Sequence, residues 1–128
     1  MKYIPFQMPA TTPHHLPEPV VDLVAQRFRL LGEPMRIRLL DHLRTGEQHV
    51  CELATSLGTT QQNVSKHLGA LHRAGLVHRR KEGNHVVYTI ADGSVFTLCE
   101  HVCDGIQRQA TEIAHILELP ISHPGRLP

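Results

Sequence analysis

The chain has no apolar run long enough to cross a membrane. Its 128 residues contain no stretch that approaches the ~20 consecutive apolar residues required by a bilayer-spanning helix. The opening residues, MKYIPFQMPATTP, also lack the apolar segment of a secretory signal peptide. The sequence therefore predicts a cytoplasmic protein with no membrane partner.

Cysteine is scarce, and the common motifs of enzymes are missing. Three cysteines are too few for a disulfide scaffold. In a cytoplasmic protein they are free thiols, metal ligands or a redox switch. The sequence has no glycine-rich phosphate loop and no nucleophile elbow, and Cys51 with His49 is too small a set for covalent catalysis. These absences predict that the chain is not an enzyme.

Net charge is also small, at +1, but it is unevenly distributed. Residues 61–85 contain five basic side chains and one acidic side chain, a local charge of +4, so the rest of the chain carries −3. A basic segment on a nearly neutral protein predicts a localised anionic partner.

Proline content divides the chain into an arm, one domain and a tail. Residues 1–19 contain five of the nine prolines, which predicts an extended arm. Residues 20–118 are predicted to form one domain that includes the dimerisation helices described below. Residues 119–128 are predicted to be a C-terminal tail.

Apolar periodicity between these tails predicts a mainly α-helical fold. Three helices are expected before Gly58, and a fourth is expected to open at Thr59, which has capping-box spacing to Gln62. A period of two follows and predicts a two-stranded hairpin with its tip at residues 81–84. A last helix of about 25 residues follows Asp92, and its wide apolar stripe predicts contact with a second chain. The expected fold is a winged helix-turn-helix, with about five helices and a two-stranded β-hairpin wing.

The fourth helix carries an unusual concentration of amide and hydroxyl side chains, in the segment TTQQNVSKHLGALHRAGLV. Such side chains read base edges in the DNA major groove, and lysine and a helix N-terminus suit phosphate. The residues predicted to contact DNA are Thr60, Gln61, Gln62, Asn63, Ser65 and Lys66, with Arg79, Arg80 and Lys81 of the wing holding the backbone. A solvated polar face and a charged hairpin edge are the alternatives, as is a winged helix used only for protein contacts.

The segments LGEPMRIRLLDHL, VCELATSLGTTQQNVSKHLGALHRAGLV and RRKEGNHVVYTIAD resemble the ArsR-type (ArsR/SmtB) winged-helix repressors. The resemblance runs from Leu30 to Ile90, roughly half of the chain. It implies a homodimer that represses operator DNA and is released when an effector binds. It also implies that the first and last helices form the dimer interface.

One candidate effector site lies at His49 and Cys51. Arsenic- and cadmium-type members of the family carry Cys-Val-Cys-Asp-Leu here, and this chain has His-Val-Cys-Glu-Leu. A thiolate with an imidazole suits Zn(II) or Cd(II), whereas As(III) prefers thiolates. His14 or His15 of the arm is a further candidate ligand. Alternatively, Cys51 is a small buried apolar residue.

A second candidate site lies on the last helix. Cys99 and Cys103 are four residues apart and share one helix face, where two thiols can bind a metal ion or As(III). The alternatives are packing in the dimer interface and a redox pair.

The predicted metal residues are Cys51, Cys99, Cys103, His49 and His101. The predicted function is a repressor released by a thiol-binding ion, and the alternative is a metal-independent regulator. His67, His72 and His85 are predicted to have packing or surface roles.

Overall fold

Five helices and three short strands make up residues 15–117, the part of the chain described by this computed structural model. In chain order they are α1 Glu18–Leu31, α2 Pro34–Leu43, β1 Gln48–His49, α3 Val50–Leu57, α4 Gln61–Arg73, β2 Val77–Glu82, β3 His85–Ile90 and α5 Ser94–Leu117. The order confirms the predicted winged helix-turn-helix fold. The chain separates into two compact units, one ending at Asp92 and the other beginning at Gly93. The predicted tail, and the arm up to residue 14, lie outside the described residues.

Helix α1 begins within the segment predicted to be an extended arm. Its first residue is Glu18, and Pro17 and Pro19 lie at its start. Proline is tolerated there because the N–H groups of the first turn have no partner within the helix. The Glu18 carboxylate also favours a helix N-terminus. The prediction of an extended chain up to residue 19 was therefore wrong for its last two residues. No residue of α1 is buried in the single chain.

The core of the first unit is built from α2, α3, α4 and the sheet. Each helix turns one apolar face inward, and α4 packs against α2, α3 and β2. The most deeply buried large side chains are Leu39, Leu43, Leu53, Val64, Leu68, Leu71, Val77 and Val87. Burial of this face holds α4 in place and leaves its opposite face exposed.

A tight turn joins α3 to α4. Gly58 ends α3 with a left-handed backbone, φ 64°, which favours glycine. Thr60, and not Thr59, is the N-cap of α4, because its hydroxyl oxygen accepts from the Asn63 backbone N–H at 3.0 Å. The hydroxyl of Thr59 instead accepts from the Asn63 side-chain amide at 3.1 Å. The predicted helix start was therefore one residue early.

The wing belongs to a three-stranded antiparallel sheet in the order β1-β3-β2. The short strand β1 was not predicted, because two residues are too few to show alternation. Lys81 and Glu82, predicted at the hairpin tip, pair within the sheet with Val86 and His85. The turn contains only Gly83 and Asn84, and Gly83 has φ 61°.

Helix α5 forms the described part of the second unit. Its 24 residues span about 36 Å at 1.5 Å per residue. Several of its apolar side chains are exposed, among them Val102, Ile106, Ile113, Ile116 and Leu117. None of the helices in residues 15–117 has the length and apolar character to cross a membrane.

Candidate nucleic-acid interface

Helix α4 presents a polar stripe on the side opposite the core. Its inward side consists of Val64, His67, Leu68 and Leu71. At about 100° per residue, the centre of the opposite side passes through Gln62, Lys66, Gly69 and Arg73. The side chains of Gln62, Lys66 and Arg73 are exposed. These four residues are called the outward stripe below.

Six residues at the start of α4 were predicted to contact DNA, and in the structure they fall into two groups. Thr60 and Asn63 are already used in the turn, through the two hydrogen bonds that Asn63 donates. The side chains of the other four are exposed and form no hydrogen bond or ion pair with any described residue; they are Gln61, Gln62, Ser65 and Lys66. Their donors and acceptors are thus available to another molecule.

Arg73 was not among the predicted contacts, although it extends the outward stripe. It lies eleven residues after Gln62, which is about three turns of helix. The amide side chains that predicted base contacts all lie at the N-terminal end of α4. The spacing from Gln62 through Lys66 to Arg73 was the signal that could have identified it.

The three basic residues of the wing are not equivalent. Side chains alternate along a strand, so Arg79 and Lys81 lie on one face of β2 and Arg80 on the other. Arg80 donates to Glu47 at 2.9 Å and to Glu82 at 2.6 Å. These hydrogen bonds raise the pKa of the Arg80 guanidinium, and the one with Glu47 lowers the pKa of that carboxyl. Neither Arg79 nor Lys81 pairs with an acid anywhere in residues 15–117.

Hydrogen bonds hold the back of α4 to the preceding helices. His67 is 7% exposed, in agreement with its predicted packing role, and its Nδ1 accepts from Arg36 Nε at 3.2 Å. Arg36 also donates to the Leu30 carbonyl at 3.1 Å. At the other end, Arg27 donates to the Ala74 carbonyl at 3.2 Å. Displacing α4 would therefore break contacts to both α1 and α2.

A thiol and two imidazoles meet where the wing joins α3. The Sγ of Cys51 lies 4.0 Å from Nδ1 of His85, and the ring centroids of His49 and His85 are 4.9 Å apart. His49 Nδ1 lies 2.6 Å from Glu52 Oε1, and His49 Nε2 lies 4.0 Å from Glu82 Oε1. His85 was predicted to have a packing or surface role. It is 34 residues from Cys51 in the sequence, and the pairing of β1 with β3 brings it near that thiol.

Glu52, the third residue of α3, also caps the N-terminus of that helix. The backbone N–H of His49 donates to Glu52 at 3.1 Å. This hydrogen bond, together with that from the His49 ring, lowers the pKa of the Glu52 carboxyl. Glu52 therefore stays ionised and keeps the His49 ring oriented.

The second predicted set of metal ligands lies on α5. Cys99 and Cys103 are both half-buried and one turn apart, while His101 is exposed. His101 is two residues from each cysteine, a rotation of about 200° around the helix axis. It therefore lies on the side of α5 opposite the two thiols. Within residues 15–117, no three His, Cys, Asp or Glu side chains already stand in a geometry that could hold a metal ion.

Residues 33–79 match the family model of bacterial regulatory proteins of the arsR family. An HTH-type transcriptional regulator from Mycobacterium tuberculosis is 35% identical over 102 residues, which cover 79% of this chain and 90% of that protein. Its crystal structure has a TM-score of 0.68 at 33% identity and covers 77% of this chain and 99% of that one.

Two further proteins are similar to this chain. The solution structure of a homodimeric winged helix-turn-helix DNA-binding domain from Mycobacterium bovis has a TM-score of 0.58 at 31% identity, covering 82% of this chain and 92% of that one. A probable mercury resistance operon repressor from Streptomyces lividans is 35% identical over 77 residues, covering 60% of this chain and 62% of that protein. The fold, the outward stripe and these likenesses lead to one conclusion. The chain is a DNA-binding transcriptional regulator, not an enzyme, and belongs to the ArsR family of bacterial regulatory proteins.

Proposed function

We propose that this regulator is a cytoplasmic homodimeric repressor, which leaves its operator DNA when a thiol-binding metal or metalloid ion binds. The observation that carries the proposal is the unpaired polar surface of α4, centred on the outward stripe. The Streptomyces lividans relative, described as a probable mercury resistance operon repressor, supports repression and a soft metal as the signal.

Helix α4 enters the major groove in this proposal. Gln61, Gln62 and Ser65 read base edges, and Lys66 and Arg73 contact phosphates. Thr60 and Asn63 lie at the N-terminus of the same helix and add backbone and base contacts. Arg79 and Lys81 of the wing contact phosphates directly, whereas Arg80 must first exchange a carboxylate for a phosphate.

Gly69 provides a test of how closely α4 approaches DNA. A Cβ at this position would meet only the Arg73 side chain, at an ordinary 3.4 Å. Gly69→Ala should therefore raise the free energy of unfolding by about 0.5–1 kcal/mol, because alanine favours a helix interior over glycine. The same methyl group should weaken operator binding, since it projects from the outward stripe towards the bases.

Chemical denaturation and fluorescence anisotropy with operator DNA measure these two effects separately. Gly105→Ala in α5 is a matched control, because a Cβ there would meet only the Arg108 side chain at 3.8 Å. The control should raise stability and leave DNA affinity unchanged. Unaltered operator binding by Gly69→Ala would show that Gly69 does not lie close to the DNA.

The proposed dimer interface combines α1 and α5. Leu23 and Phe28 of α1 are 63% and 54% exposed in the single chain, and Ile113 of α5 is 56% exposed. Large exposed apolar side chains along a helix mark a surface that another protein covers. The Mycobacterium bovis relative, described as homodimeric, supports a second copy of this chain as that protein.

Two groups of residues are proposed as effector ligands. His49 and Cys51 provide an imidazole and a thiol at the start of α3, which suits Zn(II) or Cd(II). Cys99 and Cys103 provide two thiols on one side of α5, which also suits As(III), and His101 is the remaining candidate on that helix. A regulator whose cysteines pack or undergo oxidation, with no metal signal, is the alternative.

Titration of the reduced protein on its operator DNA with Zn(II), Cd(II) and As(III) tests the proposed function. We expect at least one ion to lower DNA affinity by about 5- to 150-fold, the usual range of coupling between two sites. Anisotropy would follow release, and ultraviolet thiolate-to-metal absorption would count the bound thiols.

Two variants assign the effect to one group of ligands. Cys51→Ser should abolish release if the ion binds at α3, and Cys99→Ser should abolish it if the ion binds at α5. Tight DNA binding that none of the three ions changes would favour the metal-independent alternative.

A further inference from the structure

We infer that His49, Cys51 and His85 together bind a borderline divalent cation, such as Zn(II) or Cd(II), where the wing meets α3. The site adds a wing residue, His85, to the two ligands of α3. Binding of the ion follows from the chemistry of these side chains alone. Only its effect on DNA release rests on the proposed function.

The distance between the thiol and the wing imidazole is close to that needed for one shared ion. A tetrahedral zinc centre, with bonds of about 2.3 Å to sulfur and 2.0–2.1 Å to nitrogen, holds the two donor atoms about 3.5 Å apart. Cys51 Sγ and His85 Nδ1 are 4.0 Å apart. His85 is exposed and His49 is 33% exposed, so both rings have room to rotate. A shift of about half an ångström brings Sγ and Nδ1 to the tetrahedral separation.

His49 already has the arrangement of a histidine that binds a metal. Such histidines usually donate the other ring N–H to a carboxylate, which fixes the tautomer and the orientation of the ring. The Nδ1 of His49 lies 2.6 Å from Glu52, and Glu52 is itself held by the His49 backbone N–H. A neutral ring that donates from Nδ1 to Glu52 presents the lone pair of Nε2, the atom that lies 4.0 Å from Glu82.

Glu82 connects the site to the basic residues of the wing. One of its oxygens lies 4.0 Å from His49 Nε2, and the other accepts from Arg80 at 2.6 Å. A cation held by His49 attracts this carboxylate, either as a fourth ligand or as a counter-charge, and so competes with Arg80. Because His85 and Glu82 are paired across the hairpin, the ion would also tie both wing strands to α3.

The ligand set selects the class of ion. Two imidazoles and one thiolate suit Zn(II), Cd(II) and Co(II), and a carboxylate oxygen completes four ligands. As(III) prefers several thiolates, and only one thiol is present in this cluster. The site should therefore discriminate against As(III), which distinguishes it from the cysteine pair of α5.

Binding of Cd(II) to the full-length reduced protein tests the inference, with His85→Gln as the variant and His78→Gln as the matched control. Both histidines are exposed on the hairpin. Affinity would be measured by competition with a chelator, and the same titration with Cys51→Ser would assign the thiolate-to-cadmium absorption that comes from Cys51. We expect His85→Gln to lower Cd(II) affinity by at least about tenfold, given the 10–100-fold effect of outer-sphere ligand partners. His78→Gln should match the wild type, and As(III) binding should not respond to either change. Equal Cd(II) affinity in all three proteins would overturn the inference.

Operator binding measured on the same samples distinguishes this inference from the proposed function. Cd(II) binding that depends on His85, but that leaves DNA affinity unchanged, would support the site and reject release by metal. Release of DNA by Cd(II) with equal potency in wild type and His85→Gln would support the proposed function and reject the site. Loss of release in His85→Gln alone would support both.

Discussion

Leu68→Ala is expected to lower the free energy of unfolding by about 2–5 kcal/mol. Leu68 is fully buried on the inward side of α4, which packs against α2, α3 and β2. The substitution loses the transfer free energy of the removed atoms and leaves a cavity that the neighbouring helices only partly fill. Urea denaturation of the purified protein measures the loss.

Ser65→Ala is the control for this substitution, because Ser65 is exposed on the same helix. A surface change of this kind should alter stability by no more than about 0.5 kcal/mol. A loss below about 1 kcal/mol for Leu68→Ala would contradict the placement of Leu68 in a well-packed core.

Gln62→Ala is expected to weaken operator binding by about 1–3 kcal/mol, or roughly 5- to 150-fold. A glutamine amide pairs with two atoms on an adenine edge, and its loss removes that discrimination at one base pair. Binding to random duplex DNA should change little, because no phosphate contact is lost. Anisotropy with both duplexes, measured at several salt concentrations, gives the specificity ratio and the salt dependence.

Lys81→Ala is the matched control, since Lys81 is an exposed wing residue proposed to contact phosphate. It should weaken binding to both duplexes by the same factor and reduce the salt slope by about one. If Gln62→Ala instead lowered affinity for operator and random DNA equally, the outward stripe would not be the surface that reads sequence.

Local sequence patterns predict which residues of α4 face inward and which face outward, but not the residue at which the helix starts. The inward residues of α4 follow from apolar spacing, and the same spacing places Gln62 and Lys66 on the outside. The start of the helix was missed by one residue, because Thr59 and Thr60 are both hydroxyl residues with a glycine before them. Only the backbone conformation after Gly58 decides that Thr60 accepts the hydrogen bond from the Asn63 N–H.

Local sequence patterns were enough to predict the mainly helical fold, the hairpin and the position of the recognition helix. Their signals lie in residues a few positions apart, through apolar periodicity, capping hydroxyls and glycines with a left-handed backbone. Tertiary structure alone decided that His85 meets Cys51 and that Arg80 lies between Glu47 and Glu82. These contacts span 34 and 33 residues for the pairs Cys51–His85 and Glu47–Arg80. They depend on the pairing of β1 with β3, and a strand of two residues is too short to leave a pattern in the sequence.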